Sequence, residues 1–336
     1  MDAENIMIRN AIMHILDKST GLPVLSDCLL EYDEDCYEYI KKQVVKLLTS
    51  DDKRECQFDY NLSGFYKALT QFNEDNLIEF SKQIAEYFYQ VMSDNEEIPG
   101  GDLLIATCQL HSDIYLAILK LNYRKDFTHI TRNTEEGNAN HMIIHRALLP
   151  SATSKPTEAA IINLTDYTIY LTEKKYEIGG KKGFYLSDLV LQCHTKISES
   201  DKMKLLTKTI NQINKKYFEE DFDKKLKIKD SVSEELISET PVAVRELPTK
   251  LYADYPNIQE EFQEKMEEYD IMSEEIHPEN PSTVKKYEKQ FLTTDTGIEI
   301  NIPMEVYRDK KKVEFITNDD GTVDIMIRNI QELFTK

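Results

Sequence analysis

The sequence is poor in several residue types, and each shortage excludes a class of protein. In 336 residues it has no tryptophan and only ten glycines, ten prolines and five cysteines. Cys28, Cys36, Cys56, Cys108 and Cys193 are odd in number and never spaced as CxxC, which argues against a disulfide framework or a zinc knuckle and indicates reduced thiols. No apolar run approaches the roughly eighteen residues that a membrane span needs. The N-terminus has no basic leader before an apolar stretch, so we expect a cytoplasmic protein without membrane contact.

Positive charge is also scarce, but it is unevenly distributed. Lys and Arg total 41 against 61 Asp and Glu, a formal net charge of -20. Residues 174–229, here called the basic island, contain fourteen Lys and no Arg against eight acids, a net of +6, and the remainder holds 27 bases and 53 acids, a net of -26. Any contact with nucleic acid must therefore come from this local patch.

Apolar periodicity predicts an α+β protein, with helices packed on a mainly antiparallel sheet, followed by a helical segment and a C-terminal β-hairpin region. Residues 6–16 are predicted to form a strand, and residues 33–48 and 73–92 amphipathic helices. After Pro99, alternating runs predict a hairpin over 102–123. The runs at 141–149 and 158–174 are interpreted as two more strands of the same sheet.

The pattern predicts two domains, an N-terminal α+β domain at 1–175 and a mostly helical C-terminal domain at 176–336. In the second, a short helix is expected from Leu186 to Cys193, a longer one from Met203 to Phe218, and a very acidic one in IQEEFQEKMEEYDIM. Terminal β-strands are predicted at 297–328, with a hairpin turn at 319–321. A short helix is expected to end the chain.

The segment KKYEIGGKKGFYLSD at 174–188 combines four lysines with three glycines. It matches neither the P-loop nor the GxGxxG pattern. Three interpretations stay open: a plain turn with solvated lysines, a loop that cradles a nucleotide phosphate, and non-specific contact with a phosphate backbone. Phe184, Tyr185 and Tyr217 are the aromatic residues interleaved with positive charge, as base stacking requires.

Two further patterns were weighed as metal sites. His141 and His145 have the spacing of HExxH but lack its glutamate, and on a strand they would lie about 13 Å apart, too far to hold one metal ion. Asp166 with Glu173-Lys174-Lys175 resembles the acid-then-ExK arrangement of metal-dependent nucleases. A nuclease is therefore a less favoured hypothesis, and we expect neither a metal site nor a cofactor.

Five stretches, in the same order along nearly the whole chain, resemble one known family. They are SDCLLE at 26–31, PGGDLLIATCQL at 99–110, YLAILKLNY at 115–123, AAIINLTDYTIYLTEKKYEIGGKKGFYLSD at 159–188, and GIEINIPMEVY at 297–307. With these residues the chain resembles the 37 kDa nucleoid-associated proteins of bacteria. The resemblance implies a non-enzymatic protein of the cytoplasmic nucleoid that binds double-stranded DNA with little sequence preference as an oligomer, which we expect to be a homodimer.

The basic island and this resemblance together predict the DNA contacts. The predicted phosphate-binding residues are Lys174, Lys175, Lys181, Lys182, Lys202, Lys204, Lys208, Lys215 and Lys216, with helical phase deciding which reach the surface together. The alternative hypothesis is an acidic docking or DNA-mimicking module. In that case the net of -26 outside the island would bind a DNA-processing protein partner such as a topoisomerase.

Overall fold

The structure is a computed structural model that describes residues 3–135, 137–219, 221–237, 241–278, 280, 285, 288–318, 320 and 322–332. Backbone contacts divide the chain into two compact units, Met1–Ile197 and Ser198–Lys336. Helices pack on an antiparallel sheet in the first unit, and helices and small hairpins make up the second, so the α+β prediction is confirmed. No helix among the described residues is long and apolar enough to cross a bilayer.

The first unit carries most of the strands. Its elements are β1 (Met7–Leu16), α1 (Glu34–Leu48), β2 (Arg54–Phe58), α2 (Gly64–Leu69), α3 (Leu77–Asp94), β3 (Gly101–Leu110), β4 (Asp113–Asn122), β5 (Arg124–Thr134), β6 (Gly137–Leu148), β7 (Ala159–Asn163), β8 (Ile169–Thr172), β9 (Lys175–Ile178), β10 (Lys181–Phe184) and β11 (Cys193–Thr195). A π-helical turn, Leu186–Leu191, lies between β10 and β11.

One seven-stranded antiparallel sheet forms the centre of this unit, in the order β1-β3-β4-β7-β8-β2-β11. Successive strand residues point to opposite faces, so each strand contributes to two cores. Ile105 and Ile118 pack with α2 and α3 on one face, and Ala106 and Ala117 pack with α1 on the other. The sheet is thus buried on both faces, which explains why its strands read as continuous apolar runs.

Both predicted helices of this unit are confirmed. The Asp33 carboxylate caps α1 by accepting the backbone N–H of Cys36 at 2.9 Å. Residues at spacings of three and four are buried along α1 and α3, as the periodicity requires. These buried residues are Ile40, Val44, Leu47, Leu77, Phe80, Ile84 and Phe88.

The predicted place of 141–149 in the main sheet is wrong. This segment lies in β6, which pairs only with β5 in a separate two-stranded sheet, the β5–β6 ribbon. The physical reason is that β6 pairs along its length with β5, the strand that directly precedes it in the chain, so its backbone hydrogen bonds are made in a local hairpin. The segment at 158–174 does join the main sheet, as the two strands β7 and β8.

Residues 176–197 pack in the first unit, although the sequence analysis assigns them to the second domain. β11 pairs with β2, with Cys193 opposite Phe58. Tyr185 and Leu186 are buried in the same core as α3. The glycines and lysines of this segment therefore form a hairpin inside the first unit. They do not mark the boundary between the two units.

The buried side chain of His14 on β1 links the stability of this unit to pH. Its Nδ1 accepts the backbone N–H of Ser26 at 3.1 Å, and its Nε2 lies 3.0 Å from Oγ of Ser81. This geometry fits the neutral imidazole with hydrogen on Nε2, because a proton on Nδ1 would face the Ser26 N–H. Burial, followed by the charge of Lys82, lowers the pKa of His14 from 6.5 to about 4.

We expect the free energy of unfolding of the first unit to fall as the pH is lowered from 6.5 to 4. In that window the unfolded chain protonates His14 and the folded chain does not, which costs at most about 1.4 kcal/mol per pH unit from this group. Urea unfolding at several pH values should show a flatter pH dependence for His14→Asn than for the wild type. Equal pH slopes for the two proteins would contradict this assignment.

The second unit is built mainly from helices. Its elements are α4 (Glu199–Tyr217), α5 (Phe222–Ile237), β12 (Val242–Ala243), α6 (Leu247–Leu251), α7 (Pro256–Glu268), β13 (Glu275–Ile276), β14 (Lys289–Thr293), β15 (Glu299–Pro303), α8 (Met304–Tyr307), β16 (Val313–Thr317) and β17 (Val323–Ile327). Apolar side chains of α4, α5, α6 and α7 form its core.

The predicted helices α4 and α7 and the strands β15, β16 and β17 are confirmed. On α4, the predicted apolar face is buried in the core of the second unit. Two other predictions fall partly outside the described residues: the turn at 319–321, because 319 and 321 are not described, and the terminal helix, because 333–336 are not described.

Candidate nucleic-acid interface

The segment at 174–188 forms a β-hairpin, and its two central glycines make the turn. Gly179 and Gly180 have φ angles of +56° and +80°, the left-handed region that a two-residue type I′ turn requires at both positions. β9 and β10 pair on either side, with Lys181 opposite Ile178 and Lys182 opposite Glu177. The glycines thus connect two strands, and they do not open a helix as a nucleotide-binding loop would.

All four lysines of this hairpin, Lys174, Lys175, Lys181 and Lys182, are exposed. Lys175 lies opposite Phe184, and its ammonium group is 5.0 Å from the centre of that ring. Acidic groups are also near: Glu177 is on β9, the Glu97 carboxylate accepts the Glu177 backbone N–H at 2.8 Å, and the Asp188 carboxylate accepts the Phe184 N–H at 3.3 Å. The positive charge of the hairpin is therefore local and moderate.

A buried ion pair fixes the second strand of the hairpin. The Arg54 guanidinium lies 4.2 Å from the centre of the Phe184 ring and forms an ion pair with Glu173. The Glu173 carboxylate also accepts the backbone N–H of Ser187 at 3.0 Å, and its side chain is fully buried. Burial raises the pKa of Glu173, although Ser187 and Arg54 oppose that shift. Phe184 is consequently held on one side by β2.

A second buried network fixes the first strand, and Glu158 is its centre. Its Oε1 accepts a hydrogen bond from the Tyr176 hydroxyl of β9. The same oxygen accepts a second hydrogen bond, 2.7 Å long, from the Asn122 amide. Its Oε2 accepts the Tyr185 hydroxyl at 2.6 Å and lies 3.4 Å from Nζ of Lys120. Burial alone would raise the pKa of Glu158, but Lys120 and these hydrogen bonds lower it. The carboxylate is therefore charged, and it ties the hairpin to β4.

Three lysines of α4 form a second group of exposed positive charge. Lys204, Lys208 and Lys215 are spaced i, i+4 and i+11, which places them within about 40° of one another around the helix axis. They lie on the side opposite the buried face of α4. The Lys204 ammonium pairs with Asp201 at 2.9 Å, and that of Lys208 lies 5.6 Å from the ring centre of Tyr269. We call these three residues the α4 stripe.

The two remaining predicted lysines of α4 are engaged in contacts within the unit. Lys202 is buried, with its ammonium 3.0 Å from the Glu199 carboxylate and 2.8 Å from that of Glu274. It cannot reach a phosphate without breaking both ion pairs, so it does not belong to a surface site. Lys216 is exposed but pairs with Glu261 at 2.7 Å, and that hydrogen bond raises the pKa of Lys216.

The basic island is divided between the two units. Its hairpin lysines belong to the first unit, and its α4 lysines belong to the second. The island is one segment in the sequence because its residues are consecutive. In the structure the hairpin lysines and the α4 stripe belong to different units, and each group is supported by the core of its own unit.

The aromatic residues proposed for base stacking are less accessible than the sequence suggested. Tyr185 is fully buried, and its hydroxyl binds Glu158. Phe184 lies between the Arg54 and Lys175 cations. Tyr217 is exposed, and its hydroxyl donates to Glu261 at 2.7 Å. The arrangement favours contact with phosphates over stacking on bases.

The candidate metal residues have structural roles. Asp166 accepts the backbone N–H of Thr168 at 2.8 Å within the β7–β8 turn, and Glu173 is buried against Arg54. His141 and His145 lie on the same face of the long strand β6, four residues apart, as expected. Throughout the described part of the chain, no group of three or more His, Cys, Asp or Glu could hold a metal ion.

Sequence reasoning missed one charged element, the β5–β6 ribbon. It carries the exposed side chains of Arg124, Lys125, Arg132 and Arg146. Only β6 was predicted as a strand, because β5 mixes charged and polar residues without a clear alternation. The signal that was available is the glycine at position 137, which begins β6 with a φ of +121°, a backbone conformation that favours glycine.

A protein-family model matches nearly the whole chain. The family model described as Nucleoid-associated protein YejK matches residues 12–334. The match includes the hairpin, the α4 stripe and the β5–β6 ribbon. No curated protein matches the sequence.

Proposed function

The chain belongs to the family described as nucleoid-associated protein YejK, and we propose that it binds double-stranded DNA in the cytoplasmic nucleoid, without sequence preference and without catalysis. The main contacts are Lys174, Lys175, Lys181 and Lys182 of the β9–β10 hairpin. The family description supports the nucleoid-associated role. The protein acts as a homodimer, so that two copies of each lysine group meet the same DNA.

The observation that carries this proposal is the exposure of all four hairpin lysines on a rigidly held support. A lysine ammonium is a point charge that needs no fixed geometry to attract a phosphate, so exposure is the main requirement. Because Glu158 and Arg54 anchor the two strands, the hairpin is already ordered and loses little conformational entropy when it binds. A lysine ammonium is a flexible point charge without the rigid planar fork of donors that arginine has, which fits binding without sequence preference.

Salt titration tests the proposal and counts the contacts. Each phosphate that is neutralised contributes about -0.9 to the slope of log affinity against log salt. The four hairpin lysines alone therefore predict a slope of about -3.6, and the hairpin together with the α4 stripe predicts about -6.3. Mobility-shift or anisotropy measurements with two unrelated duplexes of equal length should give equal affinities for both. The slope should be near the first value if the hairpin binds alone, and near the second if the α4 stripe also binds.

Absence of duplex binding in dilute salt would remove the proposal. A tenfold difference in affinity between the two duplexes would contradict the lack of sequence preference. The triple variant Lys204→Glu/Lys208→Glu/Lys215→Glu separates the two slopes. It should leave a slope of about -3.6 unchanged, and it should reduce a slope of about -6.3 by about 2.7.

A second candidate function, docking on a basic protein partner that processes DNA, is favoured by α7. Glu260, Glu264, Glu267 and Glu268 are exposed and share one side of this helix, at spacings of four, three and one. Such an acidic stripe attracts a basic surface and repels DNA. Capture of partners before and after nuclease treatment distinguishes the two functions, because docked proteins survive the nuclease and proteins tethered through DNA do not.

A further inference from the structure

A cleft in the second unit lies between α5 and the segment that connects α8 to β16. Its volume is about 360 Å³, within the range of roughly 300–1,000 Å³ that is typical of ligand pockets. Leu226 of α5 and Val313 of β16 line it and are buried. Arg308, which follows α8, places its Nε 2.7 Å from the carboxylate of Asp230 on α5, so this ion pair ties the two sides together. We call this feature the α5–β16 cleft.

Two aromatic rings also line the cleft. Tyr307 is the last residue of α8 and Phe315 lies on β16, and their ring centres are 5.6 Å apart with 54° between the ring planes. Both side chains are half-buried, so part of each ring remains accessible. Accessible aromatic rings next to positive charge are the platforms on which unpaired bases stack.

Four exposed lysines supply the positive charge. Lys227 lines the cleft from α5, and Lys310 lines it from the turn before β16. Lys311 and Lys312 continue the same turn, which is fixed because the Asp309 carboxylate accepts the backbone N–H of Lys311 at 3.0 Å. Within the described part of the chain, none of these four ammonium groups forms an ion pair.

The two carboxylates that line the cleft are both neutralised by arginine. Asp230 pairs with Arg308, as described above, and Glu314 of β16 pairs with Arg328, which follows β17. An anion that enters the cleft therefore meets carboxylates that already have a partner and lysines that have none. The cleft thus combines an aromatic and apolar lining with unpaired positive charge.

We propose that the α5–β16 cleft binds single-stranded nucleic acid, with a base packed against Tyr307 and Phe315 and the neighbouring phosphates bound by Lys227 and Lys310. This site goes beyond the proposed function, because the β9–β10 hairpin contacts only the phosphates of a duplex. A base inside a duplex is stacked and paired, so it cannot reach an aromatic ring in a cleft. An unpaired base can be splayed out and stacked on such a ring.

The basic turn indicates a strand as the ligand, in preference to a free nucleotide. A single nucleotide would fill the cleft and leave Lys311 and Lys312 unused, because neither of them lines it. A strand that leaves the cleft along the turn brings further phosphates to these two exposed lysines. Aromatic platforms joined to a positively charged track are the usual means by which proteins hold single strands.

Anisotropy titration of the full chain with a labelled oligothymidylate, which forms no duplex, tests the proposal. Each neutralised phosphate of a single strand contributes about -0.7 to the slope of log affinity against log salt, so four lysines predict about -2.8. Lys227→Glu/Lys310→Glu should weaken binding by at least about tenfold. Lys285→Glu/Lys289→Glu is the matched control, because both lysines are exposed in the same unit and neither lines the cleft. It should change the affinity by less than about twofold.

A second variant tests the aromatic contact separately from the charge. Phe315→Leu keeps an apolar side chain for packing and removes the ring, so it should weaken binding by at least about fivefold. The salt slope should stay the same, because no phosphate contact is lost. Circular dichroism equal to that of the wild type shows that the variant is folded.

Further ligands identify the source of the strand and separate this proposal from the proposed function. Oligouridylate of the same length shows by its relative affinity whether the natural strand is RNA or DNA. Lys181→Glu/Lys182→Glu should lower duplex affinity and affect the single strand no more than the matched control does. Three results would overturn the proposal: no binding of either single strand, equal losses in the cleft variant and its control, or thymidine monophosphate that binds as tightly as the oligonucleotide. A cleft variant that loses as much duplex affinity as single-strand affinity would also overturn it.

Discussion

Glu158→Ala is expected to lower the free energy of unfolding of the first unit by about 3–5 kcal/mol, the usual cost of removing one partner of a buried ion pair. The Lys120 side chain is 1% exposed, and it would lose the Glu158 carboxylate that opposes the lowering of its pKa by burial, while keeping the Pro99 carbonyl at 2.8 Å and the Asn122 side chain as acceptors. The Tyr176 and Tyr185 hydroxyls would lose their acceptor at the same time. Urea unfolding followed by circular dichroism, with the transition of the first unit fitted separately, measures the loss.

Two comparisons separate the charge from the packing. Glu177→Gln removes a carboxylate from the exposed surface of the same hairpin, and it should change stability by less than about 0.5 kcal/mol. Glu158→Gln/Lys120→Met removes both buried charges while keeping the volume, and it should recover a substantial part of the stability lost in Glu158→Ala. A Glu158→Ala protein as stable as Glu177→Gln would show that the network does not support the fold.

Lys181→Glu/Lys182→Glu is expected to weaken duplex DNA binding by at least about a hundredfold in dilute salt and to reduce the salt slope by about 2, because two phosphate contacts are lost and two repulsions are added. The hairpin backbone should not change, since the turn depends on Gly179 and Gly180 and both lysines are exposed. Anisotropy titrations over a range of salt concentrations measure both the affinity and the slope.

The chain offers a matched control for this charge reversal. Lys41 and Lys42 are an adjacent lysine pair on α1 of the same unit, outside the basic island. Lys41→Glu/Lys42→Glu changes the net charge by the same amount, so it reproduces the general repulsion of DNA by a more acidic protein. Equal losses of affinity in the two variants would show that the hairpin has no special role.

Apolar periodicity in the sequence was sufficient to predict the elements that carry their own pattern of buried residues. α1 and α3 were predicted because each buries one stripe, for example Leu77, Phe80 and Ile84. The β3–β4 hairpin was predicted because its strands read as apolar runs with His111 and Ser112 between them. Such elements carry their own burial pattern, so the partner that covers them need not be known.

Strand pairing could not be predicted in the same way. β2 and β11 were missed, although they complete the sheet, because each is short and gains its partner only after a long loop closes. β6 was assigned to the main sheet because HMIIHRALL has the composition of a strand. That its partner is β5, and not a strand of the main sheet, could be seen only in the folded chain.

The candidate site shows the same division. The sequence identified the lysines and, through Gly179 and Gly180, a bend. The position of a residue around a helix follows from its spacing along the sequence. Once the buried face of α4 is known, this spacing distinguishes the exposed Lys204, Lys208 and Lys215 from Lys202. The burial of Lys202 against Glu274 could not be read from the sequence, because the two residues are distant along the chain.

By itself, the sequence determined the α+β class, the two main helices of the first unit, the uneven distribution of charge and the family. These depend on residue type and local spacing, which the chain carries wherever it folds. Only the tertiary structure decided that the basic island is shared between two units, that Glu158 and Arg54 hold the hairpin, and that the β5–β6 ribbon is left exposed. Those features arise from contacts between residues far apart in sequence, and such contacts exist only after the sheet and its cores have formed.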